Sequence, residues 1–225
     1  MGTLASNRKG FIVAASSSSY SDALNATTGT AYDSATTNQT AIQYFKSTGR
    51  GGGTFRFIRT FIHFDTSSIS GGSNFELQLT SAGANGGNNS NTRAIKHTAG
   101  TSNGGELANA DFNNIDRSTV YSSDTSFSTS GTVTFSLNAA AATQIINNND
   151  FNVALLLAHD AGEEEEDLLE ESGDVSNIIA FGSAINLVYT DPTSGYGNSV
   201  AGLASASIGK VIEVATASIN KIVDA

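Results

Sequence analysis

The chain has 225 residues with 21 acidic and 11 basic side chains, and its formal charge of -10 argues against the phosphate backbone of nucleic acid as a partner. It contains no cysteine, so disulfide frameworks and cysteine-based metal sites are excluded, and no apolar run approaches the length of a membrane span. The 23 glycines, a single proline and abundant Ser, Thr and Asn describe an all-β chain with many turns, long enough for one large domain plus an appendage.

The opening MGTLASNRKGFIVAASSSS places Arg8 and Lys9 before only a few apolar residues, too few for a secretory signal, so no Sec export is implied. The first strand is predicted at Gly10–Ala14. The Ser-, Thr- and Asn-rich stretch Ala15–Asn38 is expected on the surface, followed by a strand at Thr40–Phe45. Alternation is clearest in Thr54–Ile69, where Phe55, Phe57 and Phe61 share one face and Ile58, Ile62 and Phe64 the other. Apolar residues on both faces predict a central strand. After the Gly71-Gly72 turn, Phe75, Leu77 and Leu79 alternate with polar residues and predict a half-buried strand pairing antiparallel with its predecessor.

The glycine-rich Ser81–Thr92 is expected on the surface. Further strands are predicted at Thr92–His97, Thr132–Leu137, Phe151–Ala158 and Ile178–Tyr189, with Asn138 capping a short crossover helix over Ala139–Ile146 that Asn147 stops. About eight strands joined by long polar loops fit a two-sheet antiparallel jelly-roll sandwich. The predicted core comprises Phe55, Ile58, Ile62, Phe64, Leu77, Leu79, Phe135, Leu137, Val153, Leu155, Leu157 and Val188. The segment Thr190–Asn198, with Pro192 and two glycines, marks the end of a domain over 1–190 and the start of a linker over 191–203.

Residues 204–225 carry one eleven-residue unit twice, ASASIGKVIEV then ATASINKIVDA, with a weaker upstream echo in which Val200 and Leu203 take the places of Val211 and Val214. A strict period marks a contact used more than once. The expected assembly contacts are Val200, Leu203, Ile208, Val211, Ile212, Val214, Ile219, Ile222 and Val223. As a helix, the period favours a slightly right-handed supercoil seam; as extended chain, Val211–Val214 and Ile222–Ala225 add strands to a neighbour's edge.

Chemistry is weakly signalled. His63, His97 and His159 show no ligand-pair spacing, and His63 reads as a hydrogen-bonded strand histidine. There is no Gly-x-Ser-x-Gly elbow, and Gly51-Gly52-Gly53 lacks the Lys-Ser/Thr ending of a phosphate loop. No catalytic residue, cofactor site or metal site is nominated. Nine acids fall between Asp160 and Asp174 (Asp160, Glu163, Glu164, Glu165, Glu166, Asp167, Glu170, Glu171 and Asp174), and the run GEEEEDLLEES after Asp160 reads as an exposed, solvated loop or helical excursion without the alternation of a calcium loop, with cation binding or a basic partner as the alternative.

The segment RTFIHFDTSSISGGSNFELQLTSAG, Arg59–Gly83, resembles the strand pair of DNRLRE-type jelly-roll domains, and the likeness extends loosely through Val133–Ala158 and Ile178–Tyr189. DFNNID at Asp111–Asp116 and the tail Gly195–Val211 are similar to segments of tailed-phage virion proteins. The acidic run departs from the family pattern, as does Val223-Asp224 where such tails often carry Asn-Gly. The resemblance implies a non-enzymatic virion structural protein, synthesised in the bacterial host cytoplasm, that decorates the capsid or forms part of a tail fibre or other appendage. Its expected partners are other virion proteins and copies of itself, as a homo-oligomer of which a trimer is one form; nucleic acid and membrane are not expected. The alternative is a carbohydrate-binding adsorption protein, or adhesin, recognising host surface glycans. Tyr20, Tyr32, Tyr44, Tyr121 and Tyr196 would then be the stacking candidates in the absence of tryptophan.

Overall fold

The structure, a computed structural model, describes residues 1–34, 40–47, 53–85, 91–99, 106–126, 130–157, 160, 175–192, 210–211 and 214–215. The chain divides into two compact units, Met1–Thr190 and Asp191–Ala225. In the first, every strand pairing is antiparallel. The elements in chain order are β1 (Gly2–Ala5), β2 (Arg8–Ala14), α1 (Tyr20–Leu24), β3 (Gly29–Ser34), β4 (Thr40–Ser47), β5 (Thr54–Asp65), β6 (Ser73–Asn85) and β7 (Asn91–His97). There follow a 3-10 turn (Asn109–Asn113), β8 (Ile115–Val120), β9 (Thr125–Ser126), β10 (Gly131–Ser136), α2 (Ala139–Asn147), β11 (Asp150–Leu157) and β12 (Val175–Thr190).

The strands run in the order β10-β6-β12-β4-β5-β11-β7-β8, with β1 on β12, β2 on β5, β3 on β2 and β9 on β7. β5 is the organising strand. Ile58 faces both Val13 of β2 and Gln43 of β4, so β2 and β4 lie on opposite edges; β11 takes up the β4 edge from Thr60 onward. Likewise β4 and then β1 share one edge of β12, while β6 occupies the other through a bulged register. The N-terminal chain crosses from β12 to β5 at two consecutive amides, with Ser6 N–H donating to Ile185 O at 3.0 Å and Asn7 N–H to His63 O at 3.1 Å.

β5 is buried on both faces from Phe57 to Phe64, as its two-sided apolar pattern predicts. Its even residues Ile62 and Phe64 join Leu77, Leu79, Phe135, Phe151, Val153, Leu155 and Leu187 in one contiguous core, where Phe64 and Phe151 stack at 6.1 Å. Its odd residues lie under α1 and the 3-10 turn: Tyr20 sits edge-on to Phe55 and Phe57 at 5.8 and 5.6 Å. Of the predicted core, all but Leu137 are buried, and Leu137 is partly buried against the cluster.

Three expectations need correction. Among the described pairings β6 joins β10 and β12 rather than β5. The edges of β5 are taken by β2, β4 and β11, and the intervening turn, where Thr66 N–H donates to Asn149 O and Ile69 is buried, leads the chain away. The Ala15–Asn38 stretch is not all surface. It contains α1, capped by Ser19 Oγ accepting from Asp22 N–H at 3.2 Å, and buries Tyr20 and Ala23. Ser81–Thr92 is likewise partly structural, because β6 continues through Asn85 with Ser81 buried, and Thr92 is buried in β7.

The crossover helix α2 forms as expected. Asn138 Oδ1 accepts from Ala140 and Ala141 N–H at 3.0 and 3.1 Å, four alanines follow, and Ala141 and Ile145 are its buried positions. It ends one residue beyond the expected stop, at the Asn148 cap, and Asn149 then takes φ 58, a left-handed conformation asparagine tolerates.

Truncating Phe64 or Leu155 to Ala should cost roughly 2–5 kcal/mol of stability, as loss of a close-packed side chain does. Urea or thermal unfolding is the measurement, and midpoints equal to the parent's would contradict the assignment of this core.

Candidate functional site

The face of β5 beneath α1 carries the chain's most concentrated polar chemistry. Arg59 stands there with 0% of its surface exposed. A buried guanidinium needs partners for its donors, and it has them: Nε donates to Asp160 Oδ2 at 2.8 Å and Nη2 to Asp160 Oδ1 at 2.6 Å, a bidentate pair. Nη1 donates to Phe112 O at 2.7 Å and Nη2 also to Leu24 O at 2.6 Å, while the Phe112 ring lies 3.8 Å from the guanidinium carbon. Asp160 is 1% exposed. Asp160, the acid that precedes the acidic run, is therefore an interior counter-ion, and the run itself lies outside the described residues.

Arg117 of β8 reaches the same place less tightly. Its donors point to Asp160 O at 3.3 Å, Asn113 Oδ1 at 3.4 Å and Leu24 O at 3.4 Å, and Nη2 lies 3.6 Å from Asp160 Oδ1. Burial first, and then the neighbouring Arg59 charge, push its guanidinium below the ordinary value while Asp160 pulls it back. The DFNNID motif supplies the cover. Asp111 accepts from Ala108 N–H at 2.8 Å and Asn114 Nδ2 at 2.7 Å, which shapes the 3-10 turn that sets Phe112 on Arg59. Asp116 accepts from Ser118 Oγ, Thr119 Oγ1 and Ser118 N–H, and these local bonds, the Ser118 hydroxyl first, hold its carboxyl below the usual range.

The two described histidines occupy structural roles. His63, 2% exposed, presents Nδ1 to Asn7 Oδ1 at 2.7 Å and Nε2 to Asp150 Oδ1 at 2.8 Å, joining the N-terminal crossing to the start of β11. This agrees with the reading of a hydrogen-bonded strand histidine. His97 accepts from Ala99 N–H through Nδ1 at 3.2 Å, so its Nε2 carries the proton and donates to Ile62 O at 3.0 Å. Its ring packs edge-on to Phe61 at 5.4 Å. Burial pushes it down from 6.5 to about 4, which matches a ring wired as the neutral tautomer. His159 lies outside the described residues. No group of three or more His, Asp or Glu side chains converges on a metal-sized site among the described residues.

Of the tyrosines weighed for glycan stacking, Tyr20 and Tyr121 are core residues at 4% and 1% exposure, and burial pushes the Tyr121 phenol up to about 12. Tyr32 and Tyr44 belong to β3 and β4, and Tyr196 lies outside the described residues.

In the second unit, Lys210–Val211 (β13) pairs antiparallel with Val214–Ala215 (β14), with Val211 opposite Val214 and Lys210 opposite Ala215. At these four positions the backbone is extended. Val200, Leu203, Ile208, Ile212, Ile219, Ile222 and Val223 lie outside the described residues. Sequence reasoning missed the Arg59–Asp160 pair. The available signal was an arginine in the middle of a strand apolar on both faces, a position that demands a buried partner.

Replacing Asp160 with Ala should destabilise by about 3–5 kcal/mol, because it strands a buried guanidinium. Replacing Asp124, which pairs with Arg93 at 2.8 Å near the surface, should cost about 1 kcal/mol or less. Equal unfolding midpoints for the two variants would refute the distinction. His97 predicts a pH dependence: the folded ring binds a proton less readily than the unfolded one, so stability is full above about pH 6.5 and falls as pH drops toward 4. The loss approaches about 3 kcal/mol. His97→Gln should flatten that part of the stability–pH curve, and an unchanged slope would exclude His97 as its source.

No protein-family model matches the chain, and no curated protein matches it.

Proposed function

We propose that this chain is a non-enzymatic structural protein of a tailed-phage virion, in which a jelly-roll head decorates the capsid or forms part of a tail appendage and the C-terminal repeats anchor or oligomerise it. The antiparallel strand order supports the jelly-roll reading. Twelve antiparallel strands form one hydrogen-bonded set whose main path runs β10-β6-β12-β4-β5-β11-β7-β8, and a contiguous apolar core takes side chains from β5, β6, β10, β11 and β12, as an all-β sandwich requires. The resemblance at Arg59–Gly83 and the phage-like tail point to the virion.

The observation that carries the anchoring role is the makeup of the second unit. The strand pair described there has two residues in each strand, and an isolated hairpin is marginal in water. Its apolar residues recur at a fixed period, so they fit a repeated contact with other chains.

Assembly through aliphatic side chains should resist salt, since each buried aliphatic contributes about 1.5–3 kcal/mol without any ion pair. The double variant Ile208→Asp, Ile219→Asp should keep the circular dichroism and melting of the head while native mass falls to that of a monomer. Retention of the oligomer, or normal incorporation into particles, would remove the tail from assembly and leave the head surface as the contact.

A further inference from the structure

We propose that Arg59 and Asp160 couple three separate surface segments, α1, the 3-10 turn and the turn at Asp160, into one unit that opens and closes together. Each segment contributes a single group to the same guanidinium: the Leu24 carbonyl at the end of α1, the Phe112 carbonyl from the 3-10 turn, and the Asp160 carboxylate. Arg59 is inaccessible to solvent, so water cannot replace a partner that leaves. Losing any one contact leaves a buried donor unsatisfied and weakens the hold on the other two.

Arg117 supplies an independent observation. From a different strand it bridges the same three segments, through Leu24 O, Asn113 Oδ1 and Asp160 O. Two arginines spanning one set of loops mean that no loop can lift while both guanidinium groups keep their bonds. A further tie runs from the 3-10 turn to the sheet edge, where Ala31 N–H of β3 donates to Asn109 Oδ1 at 2.9 Å.

The coupling has a direction of use. Asp160 is the residue from which the acidic run departs, so a force or ligand acting on that run acts directly on the group that holds α1 and the 3-10 turn in place.

Native-state hydrogen exchange of the full chain in sub-denaturing urea tests this without any substitution. The amides of Ala23, Asn25, Asp111, Asn114 and Asp160 donate to Ser19, Ser21, Ala108, Asp111 and Leu157 oxygens, respectively, and should converge on one opening equilibrium with one urea slope. Separate slopes for the three segments would overturn the proposal. Asp160→Asn, which keeps the shape and removes the charge, should speed exchange at Ala23, Asn25, Asp111 and Asn114 by about tenfold while the β6–β10 amides hold. An increase confined to the residues beside 160 would also overturn it. Should Asp160→Asn fail to fold, Arg117→Lys gives the same reading at the looser guanidinium: acceleration in all three segments supports the coupling, and acceleration limited to β8 defeats it.

Discussion

The interior of the first unit is organised around a charge that the fold must neutralise. Arg59 lies in the middle of a strand buried on both faces, where an unpaired guanidinium would be untenable. A bidentate carboxylate satisfies its charge and carbonyls take its remaining donors, so the segments that provide them are drawn to this face. A hydrophobic residue of similar volume could pack here with no loss of stability, but it would not specify which three loops cover the sheet. The pair therefore acts on the arrangement of the loops more than on the net stability of the head.

This constraint explains features that look unrelated in the sequence. DFNNID is a turn whose two aspartates are spent on local hydrogen bonds, and its product is a phenylalanine set against the Arg59 guanidinium. The polar stretch after Ala14 contains a five-residue helix because Tyr20 must reach Phe55 and Phe57, and because the carbonyl of Leu24 must reach Arg59. Asp160, the acid that precedes the acidic run, is buried.

The histidines show the same economy of use. His97 is held neutral by a donor on one side and an acceptor on the other, and His63 ties the N-terminal crossing to β11. Both described histidines are thus occupied in joining segments of the first unit.

Eight of the twelve strands described in the first unit were legible in the sequence because period and composition are local, whereas the short β1, β3, β8 and β9 were not. The two-sided pattern of Thr54–Asp65, the alternation after Gly72 and the Asn138 cap before four alanines each report on residues within a few positions of one another. The short α1 escaped because its five residues rest on one cap and on distant aromatic contacts rather than on a helical period. Strand partnership was not legible. The strand that follows, β6, is a plausible mate for β5, but the edges of β5 go to β2, β4 and β11, a choice set by how the whole chain closes its hydrogen bonds. The fate of Asp160 was hidden for the same reason. Nothing in a run of acids distinguishes the one that is buried, and only the tertiary structure, by placing Arg59 across from it, decides that this carboxylate leaves water.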